Sequence, residues 1–177
     1  MGSHIAVFDI GKTNKKLLIY DEELRLVETA REQFPEYTEN DIHFERAAEM
    51  TEWYLQRLAE YSTSFNIRAI SVATQGATGI CVHEDGSLAL PAVAYTTEPG
   101  ERFHADFIKR FGGTETIQRT TATVPMSDLL NMAQLAVFLQ EKYPKEFGKT
   151  YRFLGFPQYF GFVLTGEDGA EPTYMGC

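Results

Sequence analysis

The chain has 177 residues, of which 44% are hydrophobic and 13% aromatic, a composition typical of one globular domain that excludes a disordered chain. Its 16 basic and 25 acidic residues give a net charge of -9, which argues against nucleic acid or an anionic membrane as a partner. No apolar run is long enough to span a bilayer, and Cys81 and Cys177 follow no metal-site or disulfide spacing, so we expect a cytoplasmic protein with two reduced, structural cysteines.

The first predicted element is a β-hairpin with an unusually polar turn. Apolar runs at residues 5–8 and 17–20 predict two antiparallel strands, and the turn between them reads Asp-Ile-Gly-Lys-Thr-Asn-Lys-Lys. Asp9 ends a buried strand, where a carboxylate can hold a hydrated magnesium ion. Gly11 has no side chain and lets an anion approach the backbone N–H groups. Side-chain donors to phosphate oxygens are also available from Lys12, Thr13, Asn14 and Lys16.

Two other interpretations of this turn were considered. The letters Gly-Lys-Thr resemble the end of a Walker A loop, but that loop needs a glycine at position 6, where Ala6 lies inside the predicted strand. The Walker A interpretation therefore fails. A plain hairpin turn with solvated lysines stays open as the alternative.

A third antiparallel strand is predicted at residues 24–30, after a turn at 21–23. An amphipathic helix should follow at about 41–61, with Asn40 and Asp41 as its N-cap, because apolar residues recur there at helical spacing. Trp53 beside that apolar face is interpreted as a core residue.

The short apolar run at residues 67–73 predicts a buried strand parallel to the first one. The polar turn at 74–79 then lies at the carboxyl end of a strand, where ligands of open α/β sheets bind. Gln75 is our candidate contact in this turn, although it could equally bond its own backbone. A hairpin of residues 80–82 and 88–94 should follow, with its turn at 84–86.

The remainder of the chain is predicted to be mostly helical. The expected helices span residues 99–111, 114–119, 127–143 and 156–164, the third capped by Ser127 and Asp128 and ended by Pro144, with a loop at 120–126. The complete order is three antiparallel strands, a helix, a strand, a hairpin and a helical cluster.

This order, with an Asp-x-Gly turn joining the first two strands, resembles the N-terminal lobe of the FGGY family of carbohydrate kinases. The turn from Asp9 to Lys16 is similar to the family motif Asp-x-Gly-Thr-x-Ser-x-Arg. Further similarity lies at residues 69–86, 91–95, 131–139, 157–166 and 171–177, and it is nearest to the rhamnulokinase and fuculokinase branch.

The resemblance implies an α/β fold, namely an actin-like ATPase (ribonuclease H-like) lobe with a mixed sheet, three leading antiparallel strands and packed helices. It also implies transfer of the γ-phosphoryl group of ATP to a sugar hydroxyl, with ATP and Mg²⁺ as cofactors. Asp9 would hold the metal, and the phosphates would be bound by Gly11, Lys12, Thr13, Asn14 and Lys16. Gln75, Tyr95 and Glu98 would face the sugar.

Departures from the family pattern limit what can be carried over. Lys12 and Asn14 stand where the family has hydroxyl residues, and Gly76 and Ala77 replace charged or aromatic residues. The motifs therefore do not identify the sugar. The resemblance to the rhamnulokinase and fuculokinase branch implies a 6-deoxy ketose. The expected catalytic base and the adenosine-binding lobe lie beyond residue 177, so we expect no catalytic residue in residues 1–177 and no activity from this lobe alone.

Two other functions fit the same fold. One is a non-catalytic sugar-sensing or scaffold protein, and the other is an actin-like ATPase that does not act on sugars. The resemblance also leaves a homodimer of the complete protein open.

Overall fold

The computed structural model describes residues 2–123, 128–171 and 174. The nine strands of this part of the chain are β1 (Ser3–Ile10), β2 (Lys15–Tyr20), β3 (Leu26–Glu32), β4 (Tyr37–Glu39), β5 (Ile42–Glu45), β6 (Asn66–Thr74), β7 (Gly79–Val82), β8 (Ala92–Val93) and β9 (Arg152–Gly155). Its six helices are α1 (Ala47–Ser62), α2 (Glu101–Arg110), α3 (Thr114–Thr121), α4 (Met132–Lys142), α5 (Pro144–Phe147) and α6 (Phe156–Thr165).

The chain divides into two compact units. The first comprises the chain up to Pro35 together with Arg46–Gln75, and the second comprises Glu36–Glu45 together with the chain from Gly76 onward. Unit 1 therefore contains β1, β2, β3, β6 and α1, and unit 2 contains the other elements.

Unit 1 is built on a four-stranded sheet with the order β3-β2-β1-β6. The pairs β1–β2 and β2–β3 are antiparallel, whereas β1–β6 is parallel. This confirms the predicted mixed sheet with three leading antiparallel strands. Apolar residues alternate along β1, so that Ala6, Phe8 and Ile10 share a fully buried face. Helix α1 contributes Tyr54 to this core, stacked on Phe8 with the ring centroids 4.5 Å apart.

The predicted burial of strand β6 is wrong. Most of its residues are exposed, and Ile70 retains 40% of its accessible surface. In the described part of the chain β6 lies at the edge of the sheet, with β1 as its only strand partner. A parallel strand this apolar is normally covered on both faces. In the described part of this chain, the Ile and Val residues at 67–72 lack that cover.

The predicted start of the first long helix is also wrong. Residues 37–45 form the hairpin β4–β5 instead, and α1 begins at Ala47 with Arg46 as its N-cap. Asn40 and Asp41 occupy the turn, with φ of 49° and 61°. Two successive residues with positive φ are typical of a type I′ hairpin turn, for which Asn and Asp are favoured residues. The same two residue types favour helix N-caps, which explains the error.

Unit 2 contains two small sheets, β4-β5-β8 and β7-β9. The hairpin predicted at 80–94 forms only in part: Val82 and Leu88 make an isolated bridge around the Gly86 turn. Strand β7 instead pairs with β9, which the sequence analysis missed, and Ala92–Val93 pairs with β5.

The helices of unit 2 follow the predicted order with shifted starts. Helix α4 begins at Met132, because the side chain of Asn131 accepts hydrogen bonds from the N–H groups of Ala133 (2.9 Å) and Gln134 (3.1 Å). The predicted cap at Asp128 is therefore wrong, and Ser127 lies outside the described residues. Pro144 ends α4 as expected but also begins α5, which was not predicted.

The core of unit 2 contains Cys81. Burial raises the pKa of its thiol to about 11, which keeps it protonated at neutral pH. Cys81 is free, as predicted, whereas Cys177 lies outside the described residues. The main cluster of this core consists of Ile42, Phe44, Cys81, Leu90, Val93, Leu129, Leu135, Phe138 and Leu139.

Within residues 2–123 and 128–171 none of the helices has the length and apolar character needed to cross a membrane.

Candidate functional site

The turn between β1 and β2 is a compact loop of residues 11–14. The N–H of Gly11 donates to the carbonyl oxygen of Asn14 at 3.1 Å and so closes the loop. A Cβ atom on Gly11 would lie only 3.1 Å from the same oxygen, so a side chain here would push against the loop backbone. Glycine therefore keeps this turn tight, as the phosphate-loop interpretation requires. Ala6, where a Walker A loop would have glycine, is fully buried within β1.

Asp9 and Lys16 are cross-strand partners at the base of this loop. The ammonium nitrogen of Lys16 lies 2.9 Å from Oδ2 of Asp9, and the two side chains keep 30% and 36% of their accessible surface. Both groups are therefore paired and still reachable from solvent. A cation in this position can share its charge between the carboxylate and an incoming phosphate oxygen.

The other predicted phosphate ligands lie within the loop itself. Thr13 is exposed, whereas Lys12 and Asn14 are half-buried. Asn14 accepts a hydrogen bond from the side chain of Gln33 through Oδ1 at 3.3 Å. The structure thus brings Asp9 and the five phosphate-binding candidates together on one hairpin.

Tyr54 of α1 forms a hydrogen bond with the end of β1. Its hydroxyl donates to the carbonyl oxygen of Asp9 at 3.0 Å. Burial, reinforced by the nearby charge of Asp9, raises the pKa of this phenol, so Tyr54 stays a neutral donor at any physiological pH. From the sequence, position 54 is only one of the apolar residues of the helix predicted at 41–61, and this contact was not predicted.

Lys15 is the second residue of the site that the sequence analysis missed. Its side chain is fully buried, and its ammonium group donates to the carbonyl oxygen of Lys12 at 2.9 Å. The alternation of β2 could have revealed it, since Lys15, Leu17 and Ile19 share the buried face of that strand.

Gln75 lies beside the loop, also in unit 1. Its backbone N–H donates to the carbonyl oxygen of Ile10 at 3.1 Å, which continues the β1–β6 pairing by one residue. Gln75 is therefore placed next to Gly11, at the carboxyl ends of two parallel strands, as the sequence predicted.

Tyr95 and Glu98 belong to unit 2, in the turn that follows β8. The backbone of this turn is held by bonds from Thr97 N–H to the Ala94 carbonyl (3.1 Å) and from Leu129 N–H to the Tyr95 carbonyl (3.0 Å). The buried hydroxyl of Thr97 accepts from the N–H of His43 at 3.0 Å. Tyr95 is half-buried and Glu98 is exposed. Both side chains are therefore accessible to solvent on a turn whose backbone is fixed by hydrogen bonds.

A magnesium ion fits the donor set around Asp9. Groups of three or more His, Cys, Asp or Glu that could enclose a metal do not occur among the described residues. Mg²⁺, however, usually keeps several water ligands and is held by one or two carboxylates together with substrate phosphates. A half-exposed carboxylate such as that of Asp9 suits this arrangement if the neighbouring loop binds phosphate.

A family model with the description "FGGY family of carbohydrate kinases, N-terminal domain" matches residues 4–176. The chain belongs to the FGGY family of carbohydrate kinases. Among known sequences it is 26% identical over 186 aligned residues to L-fuculokinase of Salmonella typhi and to L-fuculokinase of Escherichia coli strain K12. In both cases the alignment covers 97% of this chain but only 37% of the relative.

Solved structures agree on the fold. A carbohydrate kinase from Novosphingobium aromaticivorans is similar with a TM-score of 0.87 and 24% identity, over 99% of this chain and 36% of the other. A xylulose kinase from Rhodospirillum rubrum gives a TM-score of 0.83 with 16% identity, over 98% and 36% of the two chains. At these identities the similarity shows the actin-like fold of an FGGY N-terminal domain.

Proposed function

We propose that this chain is the N-terminal part of an ATP-dependent carbohydrate kinase, which transfers the γ-phosphoryl group of ATP to a sugar hydroxyl. The observation that carries the proposal is the β1–β2 hairpin, where Asp9, Gly11 and Lys16 come together within an FGGY N-terminal domain. The length of the relatives supports the view that a second lobe with the adenosine site and the catalytic base follows residue 177.

In the proposed reaction the chain contributes positioning and charge neutralisation, which account for most of the catalysis of phosphoryl transfer. Gly11 would let the β- and γ-phosphates approach the loop, and the backbone N–H groups of residues 12–14 with the side chains of Lys12, Thr13 and Asn14 would bind them. Lys16 would neutralise phosphate charge while it remains beside Asp9. Mg²⁺ held by Asp9, directly or through water, would supply further stabilisation of the phosphate charge.

For the sugar we propose a 6-deoxy ketose, with Gln75, Tyr95 and Glu98 as contacts. The presence of two L-fuculokinases among the relatives supports this choice of substrate class. Half-burial of Tyr95 suits a face that packs on a sugar ring, and Glu98 can accept bonds from sugar hydroxyl groups. A cytoplasmic location is part of the same proposal.

The test is a coupled ADP-release assay on the longer protein that contains this chain. Magnesium and ATP are supplied with a panel of 6-deoxy ketoses, xylulose, gluconate and glycerol. We expect sugar-dependent ADP release on the order of 1–100 per second, fastest with a 6-deoxy ketose. Faster turnover of xylulose or glycerol would overturn the substrate class alone. Sugar binding without ADP release would overturn the kinase proposal and favour a sugar sensor.

A further inference from the structure

Lys15 is a charged residue at a position where an apolar one would be expected. Strand β2 alternates strictly, and Lys15 shares its buried face with Leu17 and Ile19, each with 0% of its surface exposed. Removing an ammonium group from water is costly unless the protein provides hydrogen-bond partners. A buried lysine at the first residue of β2, directly after the phosphate loop, therefore calls for a role that an aliphatic side chain could not fill.

One hydrogen-bond acceptor for this ammonium group lies inside the loop. Nζ of Lys15 donates to the carbonyl oxygen of Lys12 at 2.9 Å. Because a trans peptide is planar, its C=O and N–H point in opposite directions. The Lys12 carbonyl points towards the buried ammonium group, so the N–H of Thr13, in the same peptide, points away from it. Thr13 is exposed, which places this donor on the solvent side of the loop.

A different contact fixes the ends of the loop. The bond from Gly11 N–H to the Asn14 carbonyl joins the first and last loop residues. The peptide between Lys12 and Thr13 lies in the middle of the loop. Were it to flip, the loop would present a carbonyl oxygen to an anion in place of an N–H donor, and the contact would become repulsive.

We propose that Lys15 is a positioning residue of the phosphate loop: its buried ammonium group holds the Lys12–Thr13 peptide so that the N–H of Thr13 is presented to a bound phosphate. This inference rests on the proposed function, since it assumes that the loop receives phosphate. It assigns to Lys15 no contact with the substrate.

The test uses this 177-residue chain with magnesium pyrophosphate as the probe, which carries the phosphate chemistry without a nucleoside. Binding is measured by calorimetry, and the backbone amide of Thr13 is followed by ¹⁵N NMR. Lys15→Met keeps the length of the side chain but removes its charge and donor. Lys15→Arg restores a cationic donor. Leu17→Met is the matched control, because it introduces the same residue on the same buried face without touching the loop.

We expect Lys15→Met to weaken pyrophosphate binding about tenfold or more, the effect of losing one hydrogen bond from an ionised group. Leu17→Met should bind like the wild type, and Lys15→Arg should recover most of the affinity. The melting temperature of Lys15→Met should fall, because the Lys12 carbonyl oxygen loses a buried donor. In a Lys15→Met chain that is still folded, loss of the Thr13 amide response to pyrophosphate while the Gly11 response persists is a result that a purely structural lysine would not give.

Several results would overturn the inference. They are unchanged pyrophosphate affinity in Lys15→Met, equal losses in Lys15→Met and Leu17→Met, or a wild-type chain that does not bind magnesium pyrophosphate. Should Lys15→Met fail to fold, the wild-type titration still decides: a Thr13 amide that does not respond while the Gly11 amide does would refute the assigned orientation. Kinase activity is measured separately on the longer protein, so an inactive enzyme whose loop behaves as described would reject only the proposed function.

Discussion

Gly11 offers the sharpest test of whether the β1–β2 loop is a phosphate site or a plain hairpin turn. An added Cβ would lie 3.1 Å from the carbonyl oxygen of Asn14, closer than an ordinary van der Waals contact. The neighbouring backbone would have to move by a few tenths of an ångström. The Gly11–Asn14 hydrogen bond, already 3.1 Å long, would then lengthen to about 3.4–3.5 Å, where such bonds are weak.

The size of the effect follows from that bond. A backbone hydrogen bond contributes about 1 kcal/mol net, which corresponds to about fivefold in an equilibrium constant. We therefore expect Gly11→Ala to weaken magnesium pyrophosphate binding about fivefold. Gly11→Val should cost more, about tenfold or beyond, because its two methyl groups crowd the loop further. In the longer protein the same variants should raise the KM for ATP, whereas the KM for the sugar should change little.

Calorimetry and far-ultraviolet circular dichroism should be recorded on the same samples. The helical signal should persist, since the contact concerns a loop between two strands. Gly161→Ala is the matched control: it lies within α6, and no atom lies within 4 Å of the added Cβ. That change should stabilise the chain by up to about 1 kcal/mol and leave pyrophosphate binding unchanged. Wild-type affinity in Gly11→Val, or a parallel loss of helix and binding, would support the plain hairpin turn.

Four further outcomes are expected. Asp9→Asn should lower kcat of the longer protein about 100-fold or more, as measured by ADP release, and near wild-type turnover would remove Asp9 from the mechanism. Tyr54→Phe should lower the free energy of unfolding by about 1 kcal/mol in urea titrations, because the Asp9 carbonyl loses its donor; an unchanged midpoint would contradict this. In a Cys177→Ser background, iodoacetamide at pH 7.5 should label Cys81 only after unfolding, because the thiol is buried and its pKa is about 11; rapid labelling of the native chain would refute that environment. The exposed edge strand β6 should let this chain self-associate, and Ile70→Lys, which places a charge on that strand, should reduce the association in light scattering; undiminished association would point to another surface.

The sheet of unit 1 could be predicted from the sequence because its information is local. Two apolar runs on either side of a polar turn located β1 and β2, and a short apolar run after a helix located β6. The hairpin β4–β5 was missed because Asn40 and Asp41 suit a helix cap and a type I′ turn equally well. The pairing of β7 with β9 was missed because it joins segments far apart in the chain, and no local pattern specifies which strand edge a distant segment will meet.

The same distinction applies to the candidate site. Asp9, Gly11 and Lys16 were predictable because their residue types and spacing carry the chemistry directly. Lys15 and Tyr54 were not, since lysine is ordinarily a surface residue and a helical tyrosine is ordinarily part of the core. Their role depends on which backbone atom each polar group reaches, and only the fold determines that.

Three backbone carbonyl groups around the loop are each held by a donor from a different element. Tyr54 of α1 donates to the carbonyl of Asp9, the N–H of Gln75 after β6 donates to that of Ile10, and Lys15 of β2 donates to that of Lys12. Unpaired carbonyl oxygens facing an anion would repel it. Of the N–H groups opposite these carbonyls, that of Gly11 is bonded to the Asn14 carbonyl, and that of Thr13 is the one proposed to meet a phosphate. In the proposed phosphate site, the sheet and helix of unit 1 would thus orient the loop before ATP binds. Such preorganisation would allow a short polar sequence to serve as the proposed phosphate site.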